Sequence, residues 1–149
     1  MSYSSEALKR FNYLLSETTT VYHDAAARLG LSYSVMQILY TVCSDGDGRR
    51  CPLSEVCRQT GISKQTVNSA LRRLEAEGLA YLERTGGKRK DVCLTEAGTA
   101  LAGRTAARIM EAENAVFASW PQEDVEAYLA LTAKYLAAFR EQTQTLPAR

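Results

Sequence analysis

Apolar residues recur along this chain with two different periods, and each period predicts its own kind of element. Most of the sequence repeats its apolar residues at steps of three and four, as amphipathic helices do. A short central region alternates at every second residue, which is typical of strands. The predicted elements are helices at 5–29, 33–44 and 53–60, a basic helix between Ser63 and Gly78, strands at 79–84 and 91–94, a helix from Thr95 to Ser119 and a last helix with Pro121 in its first turn.

Local signals mark the ends of these helices. Ser32, Ser63 and Thr95 each precede a helical segment, where a side-chain oxygen can accept an otherwise unpaired backbone N–H. Gly78 follows the basic helix and can adopt the left-handed conformation of a C-terminal cap. The segment DGDGRR, residues 45–50, is a loop by composition.

The basic helix has two contrasting faces. One is apolar and contains Val67, Ala70, Leu71 and Leu74. The opposite face has no acidic residue, and each of its side chains can donate a hydrogen bond: Lys64, Gln65, Thr66, Asn68, Ser69, Arg72 and Arg73. Such donors suit phosphates and the acceptor-rich edges of guanine and adenine. The pattern predicts the recognition helix of a helix-turn-helix, against the alternative of an ordinary solvated surface helix.

Two short strands enclose a basic tip. Residues 85–90, TGGKRK, place two glycines and three consecutive cations between the strands, which predicts a β-hairpin. Beside a recognition helix, this tip is suited to reach DNA phosphates or a minor groove, and the alternative is a solvated charged loop. The candidate DNA-binding residues of this wing are Arg84, Lys88, Arg89 and Lys90.

The distribution of charge is more informative than its total. The 149 residues have a formal net charge of only +1. Residues 49–94 nevertheless carry 10 basic and 5 acidic side chains, whereas the segments on either side each have a net charge of −2. A local basic patch is the electrostatic footprint of a nucleic-acid-binding face. The near-neutral total therefore does not argue against DNA binding by the middle third.

Composition and motifs argue against other classes of protein. A length of 149 residues with 46% hydrophobic residues fits one globular domain. The sequence lacks a signal segment and any run of roughly 18 apolar residues, so we expect a cytoplasmic protein without a membrane span. It has no phosphate-binding glycine loop and no nucleophile elbow. We expect no enzymatic activity and no catalytic residue, with the acidic residues at solvated helix positions.

The cysteines match no metal site. Cys43, Cys51, Cys57 and Cys93 include no C-x-x-C pair, and His23 is the sole histidine. We therefore expect neither a metal nor a cofactor. Thiols that act as small apolar side chains are the favoured interpretation. A redox-active thiol is the alternative, and it requires exposure and a lowered pKa.

The whole pattern resembles the winged helix-turn-helix regulators of the multiple antibiotic resistance regulator (MarR) family. The stretches GISKQTVNSALRRLEAEGLAYLER (61–84) and VCLTEAG (92–98) carry the resemblance, which covers nearly the whole chain. It implies a mainly α fold with a small β-hairpin wing (α+β). Within a single domain, 1–149, it implies a winged helix-turn-helix lobe at about 31–95 and helical dimerisation regions at about 5–29 and 96–143.

The resemblance also implies a function, that of a sequence-specific regulator of double-stranded DNA. It implies a homodimer on a pseudo-palindromic operator, a repressor in the family's commoner mode, and release by a small-molecule effector. Many members have an Asp and, two residues on, an Arg near the wing tip, where this chain has Gly86 and Lys88. Lys88 is therefore the expected wing contact, as a flexible point charge.

Two further functions stay open. A winged helix can serve as a protein-interaction module. A thiol-based redox-responsive regulator is the other alternative, although the family's peroxide sensors have a cysteine near the start of the first helix and this chain has none before Cys43. No effector residue is assigned, because the following aromatic residues fit an effector pocket and a core or interface equally well: Tyr13, Tyr22, His23, Tyr33 and Tyr40.

Overall fold

The computed structural model of the protein describes residues 2–45 and 47–149. Its helices and strands follow the predicted order, with one additional strand and one helix divided in two. The helices are α1 (Glu6–Arg28), α2 (Tyr33–Ser44), α3 (Leu53–Thr60), α4 (Lys64–Ala76), α5 (Glu96–Arg104), α6 (Ala106–Ser119) and α7 (Gln122–Gln144); the strands are β1 (Arg50–Pro52), β2 (Ala80–Gly86) and β3 (Arg89–Leu94). The predicted mainly helical fold with a hairpin wing is confirmed.

One apolar core joins α2, α3 and α4 to the sheet and to α5. The predicted apolar face of α4 is buried in it, since Val67, Leu71 and Leu74 are at most 2% exposed. Burial of such side chains from water is the main source of stability in a lobe of this kind. Other members of this core are Val35, Ile38, Leu39, Val42, Cys51, Val56, Val92, Leu94, Ala102 and Ala106.

The wing is a three-stranded antiparallel sheet with the strand order β1-β3-β2. The prediction of a loop over 45–50 was wrong at its end, where Arg50 begins β1 and pairs with Cys93. The hairpin strands are also longer than predicted, since Gly86 pairs with Arg89 and only two residues turn the chain. Gly87, the first of these, has a φ of 56°, a conformation that glycine adopts without steric cost.

The helix predicted from Thr95 to Ser119 is interrupted at Thr105, which has φ −129° and ψ −85°. The Thr105 hydroxyl donates to the carbonyl of Leu101 at 2.6 Å, and its backbone N–H donates to Ala102 at 3.3 Å. The side chain thus takes the carbonyl that a continuous helix would pair with the amide. The sequence pattern missed this break because the apolar spacing continues across it.

The remaining helix ends follow the predicted signals. Ser32, Ser63 and Thr95 each accept a hydrogen bond from the backbone N–H three residues ahead. Gly78 has a φ of 71° just after α4, as its position required. Pro121 is the exception, because it was predicted in the first turn of α7 and is instead the N-cap, one residue before the helix.

Gly98 allows α5 to lie directly against the connection between α4 and β2. A Cβ atom at this position would come within 1.8 Å of the carbonyl oxygen of Leu79. Thr95 holds the same contact, because its hydroxyl donates to the carbonyl of Gly78 at 2.7 Å and its N–H donates to Leu79 at 3.1 Å. The close approach fixes the start of α5 on the lobe.

The chain divides into two compact units, residues up to 110 and residues 111–149. In the first, α1 buries only Ala26, and Leu15 is 55% exposed. In the second, α7 buries none of its 23 residues. None of the helices in the described part of the chain has the length and apolar character needed to cross a membrane. The division into a DNA-binding lobe and dimerisation regions stays a prediction.

Candidate nucleic-acid interface

The donor face of α4 lies on the surface, as predicted. Lys64, Gln65, Thr66, Ser69, Arg72 and Arg73 are exposed, and Asn68 is half-buried. The helix is fixed from below by its buried apolar face and at its start by Ser63, whose side chain accepts from the N–H of Thr66 at 3.2 Å. The donor groups are therefore mounted on a rigid element.

Not all of these donors are free. The Ser69 hydroxyl donates to the carbonyl of Gln65 at 3.1 Å, and Arg73 pairs with Glu77 at 3.5 Å, one turn along the helix. The Thr66 hydroxyl accepts from the Ser63 hydroxyl at 2.9 Å. Within residues 2–45 and 47–149, the remaining four side chains have no ion pair, and their amide or cationic groups make no hydrogen bond; these are Lys64, Gln65, Asn68 and Arg72. These four groups are the ones available to another molecule.

A cleft of about 890 Å³ separates α3 and α4 from the wing. Its apolar part consists of Leu53, Cys57 and Leu82. Its polar part contains no acidic residue and combines both predicted surfaces: Ser54, Lys64, Asn68, Lys88, Arg89 and Lys90. A concave surface lined by one sign of charge concentrates the field and attracts the opposite charge. The structure thus brings the donor face of α4 and the wing tip to one site.

The cleft side of the wing includes two cations in direct opposition. Arg84 on β2 pairs with Lys90 on β3, in the position next to the Leu82–Val92 pair. Like charges directly opposite each other destabilise a strand pair. Neither side chain has an acidic partner among the residues that the structure describes. An anion bound at this pair would relieve the repulsion.

The other face of the wing has a network that the sequence analysis did not predict. Glu83 and Asp91 are directly opposite each other across β2 and β3, and Arg50 of β1 forms ion pairs with both. Asp91 also accepts from Nε of Arg89 at 3.3 Å. The expectation of solvated acidic residues was wrong for Asp91, which is 3% exposed. Arg50 and Glu83 are 33 residues apart, so their ion pair leaves no local signal in the sequence. An Asp within an apolar strand was nevertheless a visible anomaly.

The thiols lie in different surroundings. Burial and the nearby Asp45 carboxylate raise the pKa of Cys51 to about 12, and burial raises the pKa of Cys43. Burial also raises the pKa of Cys93, against the opposite effect of the adjacent Arg50. Cys57 is half-buried at the cleft. Among the described residues, no group of His, Cys, Asp or Glu side chains could hold a metal ion.

The aromatic candidates for an effector pocket are only partly gathered. Tyr22, Tyr33 and Tyr40 pack against a second small core of Ala26, Met36 and Ile109. His23 stacks on Tyr33 with ring centres 3.8 Å apart, whereas Tyr13 is 63% exposed. These contacts give Tyr22, Tyr33 and Tyr40 a structural role in packing.

Comparison with known proteins agrees with this arrangement. The model of the MarR family matches residues 29–91. The fold is similar to NMB1585, a MarR family regulator from Neisseria meningitidis, with a TM-score of 0.78, 21% identity and coverage of 95% of this chain and 98% of that chain. It is also similar to S. aureus MepR in a complex with DNA, with a TM-score of 0.68, 19% identity and coverage of 93% and 98%.

A third similar structure is NadR in complex with 4-hydroxyphenylacetate, with a TM-score of 0.69, 16% identity and coverage of 91% of this chain and 95% of that chain. No curated protein matches the sequence. At these identities the solved structures show the fold, and the family model covers most of the lobe that forms the cleft. MarR family regulators bind DNA and are not enzymes. Residues 29–91 are thus similar to the MarR family, and the fold of the chain is the one seen in MarR family regulators.

Proposed function

We propose that the protein is a homodimeric repressor that binds a pseudo-palindromic operator through α4 and the wing. The acid-free cleft between these two elements carries the proposal, since it joins free donors of α4 to the cations of the wing tip. In a helix-turn-helix dimer, half-sites lie about one helical turn apart, roughly 10 bp. A cytoplasmic location follows from this DNA target.

The two elements have different tasks in this proposal. Gln65, Asn68 and Arg72 have free amide or guanidinium groups, which are the side-chain types that read adenine and guanine edges. Lys88, Lys90 and the Arg84–Lys90 pair contribute positive charge without rigid geometry, which suits phosphates. Specificity is therefore assigned mainly to α4, and salt-dependent affinity mainly to the wing.

The homodimer is supported by apolar surface on the long helices. On α7, Leu129, Leu131 and Phe139 are each more than half exposed, and α1 exposes Leu14 and Leu15 to a similar degree. Isolated helices are marginal in water, and a helix with such a surface is normally stabilised by packing. A second copy of the chain is the proposed cover. Sedimentation of the purified protein over a range of concentrations tests this part, with a monomer at all concentrations contradicting it.

Release by a small aromatic acid is the proposed regulation. NadR, which shares the fold, forms a complex with 4-hydroxyphenylacetate. Titration of the protein–DNA complex with hydroxylated aromatic acids, followed by fluorescence anisotropy of labelled DNA, tests this part. Restored expression from an operator-controlled reporter when the acid is added would support both repression and release, and lower expression after loss of the protein would identify an activator.

DNA binding is tested with sites selected from genomic DNA and with random duplexes. Arg72→Ala is expected to weaken binding to the selected site by about 1–3 kcal/mol. Lys88→Ala is expected to weaken binding to all duplexes and to lower the salt slope by about 1. Arg104→Ala, which removes an exposed cation outside the cleft, is the matched control and should leave binding unchanged.

Several outcomes would contradict the proposal. Wild-type operator affinity in the Arg72→Ala/Arg73→Ala double variant would show that α4 does not read the site. Absence of any complex with DNA at low salt would favour the protein-interaction module. Loss of binding on mild oxidation, reversed by a thiol reductant, would favour the redox-responsive regulator.

A further inference from the structure

Two pairs of like charges oppose each other across β2 and β3, and they differ in their counter-ions. Glu83 is directly opposite Asp91, and Arg50 forms ion pairs with both carboxylates. The next position of the register pairs Arg84 with Lys90. In the part of the chain that the structure describes, no carboxylate forms an ion pair with either of these cations. The positive pair is therefore the one with unrelieved repulsion.

This positive pair lies on the cleft side of the sheet. Side chains alternate between the two faces along a strand, so Arg84 shares a face with Leu82, and Lys90 shares a face with Val92. Leu82 and Lys90 both line the cleft, whereas Val92 lies in the core. The two opposed carboxylates occupy the other face. A counter-ion for the positive pair therefore has to come from the cleft side.

The spacing of the pair suits one phosphate group. The Cβ atoms of directly opposite residues lie roughly 4.5–5.5 Å apart, so both cationic side chains can reach the same small anion. A phosphate has several acceptor oxygens and can accept from a guanidinium and an ammonium group at once. The register shifts only beyond this pair, between Arg84 and Gly86. The two cations thus occupy the last regular pair before the hairpin tip.

We propose that Arg84 and Lys90 form a clamp for one phosphate group, and that the free wing retains their repulsion until the phosphate binds. The inference rests on the proposed function for the source of the phosphate, which is the DNA backbone. Lys88 lies in the turn and has no partner in the described register, so it is a separate contact. Loss of either clamp residue should stabilise the free protein and weaken its complex with DNA, which a merely positive surface would not do.

Melting of the free full-length protein at low salt tests the repulsion. Arg84→Gln and Lys90→Gln should each raise the melting temperature by about 1–3 °C, since either change removes an opposed charge. The double variant should gain no more than one single variant, because a pairwise repulsion can be removed only once. At roughly 1 M salt the gains should disappear, because the repulsion is screened. Lys88→Gln is the matched control and should leave the melting temperature unchanged.

Binding of the same variants to the selected operator and to a random duplex tests the phosphate contact. Each clamp variant should weaken binding to both duplexes about three- to tenfold and keep the ratio between them, since a phosphate carries no sequence information. The double variant should lower the salt slope by about 1, as Lys88→Gln does, because each loses one phosphate contact.

Three results would overturn the inference. They are wild-type affinity for both duplexes in the double variant, a decrease of about 2 in its salt slope, which would mean two separate phosphate contacts, and wild-type melting of the clamp variants at low salt.

Failure of the proposed function is distinguishable, because the wild-type protein would then bind neither duplex. Pyrophosphate, added at matched ionic strength, is the probe for that case. If it raises the melting temperature of the wild type and not of the double variant, the clamp binds a free phosphate anion instead of the DNA backbone. An equal response of the two proteins would overturn the clamp itself.

Discussion

Helix α4 and the wing hold their cations in different ways. On α4 the buried apolar face fixes the helix, and Lys64 and Arg72 project from it without internal partners among the residues described. In the wing, Ala80, Val92 and Leu94 pack in the core, and the outer face is fixed by the ion pairs of Asp91. The helix is positioned by apolar packing and the wing partly by charge.

This difference indicates how each region responds to change. A substitution on the exposed face of α4 removes a contact and leaves the helix in place. A substitution in the wing network also alters the direction of its neighbours, because residues of one ion-pair network are coupled. Effects should therefore add within α4 and fail to add within the wing.

The largest expected effect comes from Gly98→Ala, because Gly98 lies against the connection between α4 and β2. Its Cβ would lie 1.8 Å from the carbonyl oxygen of Leu79, so the backbone must shift. We expect a loss of about 3 kcal/mol in the free energy of unfolding, at the upper end for overpacking. Urea denaturation measures it.

Gly103→Ala, in the same helix, is the matched control. No atom lies within 4 Å of a Cβ placed there. Replacing a helical glycine by alanine should stabilise the protein by roughly 0.5–1 kcal/mol. Equal effects of the two substitutions would mean that Gly98 does not determine how α5 contacts the α4–β2 connection.

The next prediction separates base-specific contacts from general electrostatic attraction to DNA. Asn68→Ala is expected to cost about 1–3 kcal/mol on the operator and little on random DNA, as for one bidentate base contact. Gln65→Ala should behave similarly, and the two losses should add. Electrophoretic shifts over a range of salt concentrations measure this. Equal losses on both duplexes would assign Asn68 to phosphate contact.

A smaller effect concerns the thiols of the two regions. Cys57 lines the open cleft, whereas Cys93 lies 3% exposed in the wing sheet with burial raising its pKa. At pH 8 a maleimide should label Cys57 first, and bound DNA should slow that reaction. Cys51, with a pKa of about 12, should react only on unfolding. Peptide mass spectrometry identifies the sites, and early labelling of Cys93 would show that the wing opens.

The smallest expected effect is on stability at acid pH, and it arises from residues of α3. Hydrogen bonds from Arg58 and Gln59 lower the pKa of Glu55 to about 2, from an ordinary value of 4.5. A lowered carboxyl pKa stabilises the folded state above the unfolded value, and this contribution disappears as pH falls from 4.5 towards 2. Glu55→Gln should therefore flatten the acid side of the stability curve slightly. An unchanged curve would assign no stability to this surface pair.

Sequence reasoning succeeded where structure depends on near neighbours. The caps at Ser32 and Ser63 and the apolar face of α4 depend on residues a few positions away. The bounds of α2 and α3 also agree with prediction to the residue. The donor face of α4 followed from the same periodicity.

It failed where structure depends on distant partners. Strand β1 has three residues and exists because β3 pairs with it from 39 to 43 positions away along the chain. At Thr105 the side-chain hydroxyl replaces the backbone N–H as the donor to Leu101, and the spacing of apolar residues gives no sign of this. The pairing of Asp91 with Arg50 and Arg89 depends on the register of three strands, so it could not be assigned from the sequence.

The exposed α7 has a consequence for the amount of protein that a cell must maintain. A helix with no buried residue contributes little to the stability of one chain. If the proposed second copy covers it, folding and association are linked, and the melting temperature rises with protein concentration. The fraction of chains able to occupy both half-sites would then fall steeply on dilution. Control of the target gene would depend on how much regulator is synthesised as well as on what it binds.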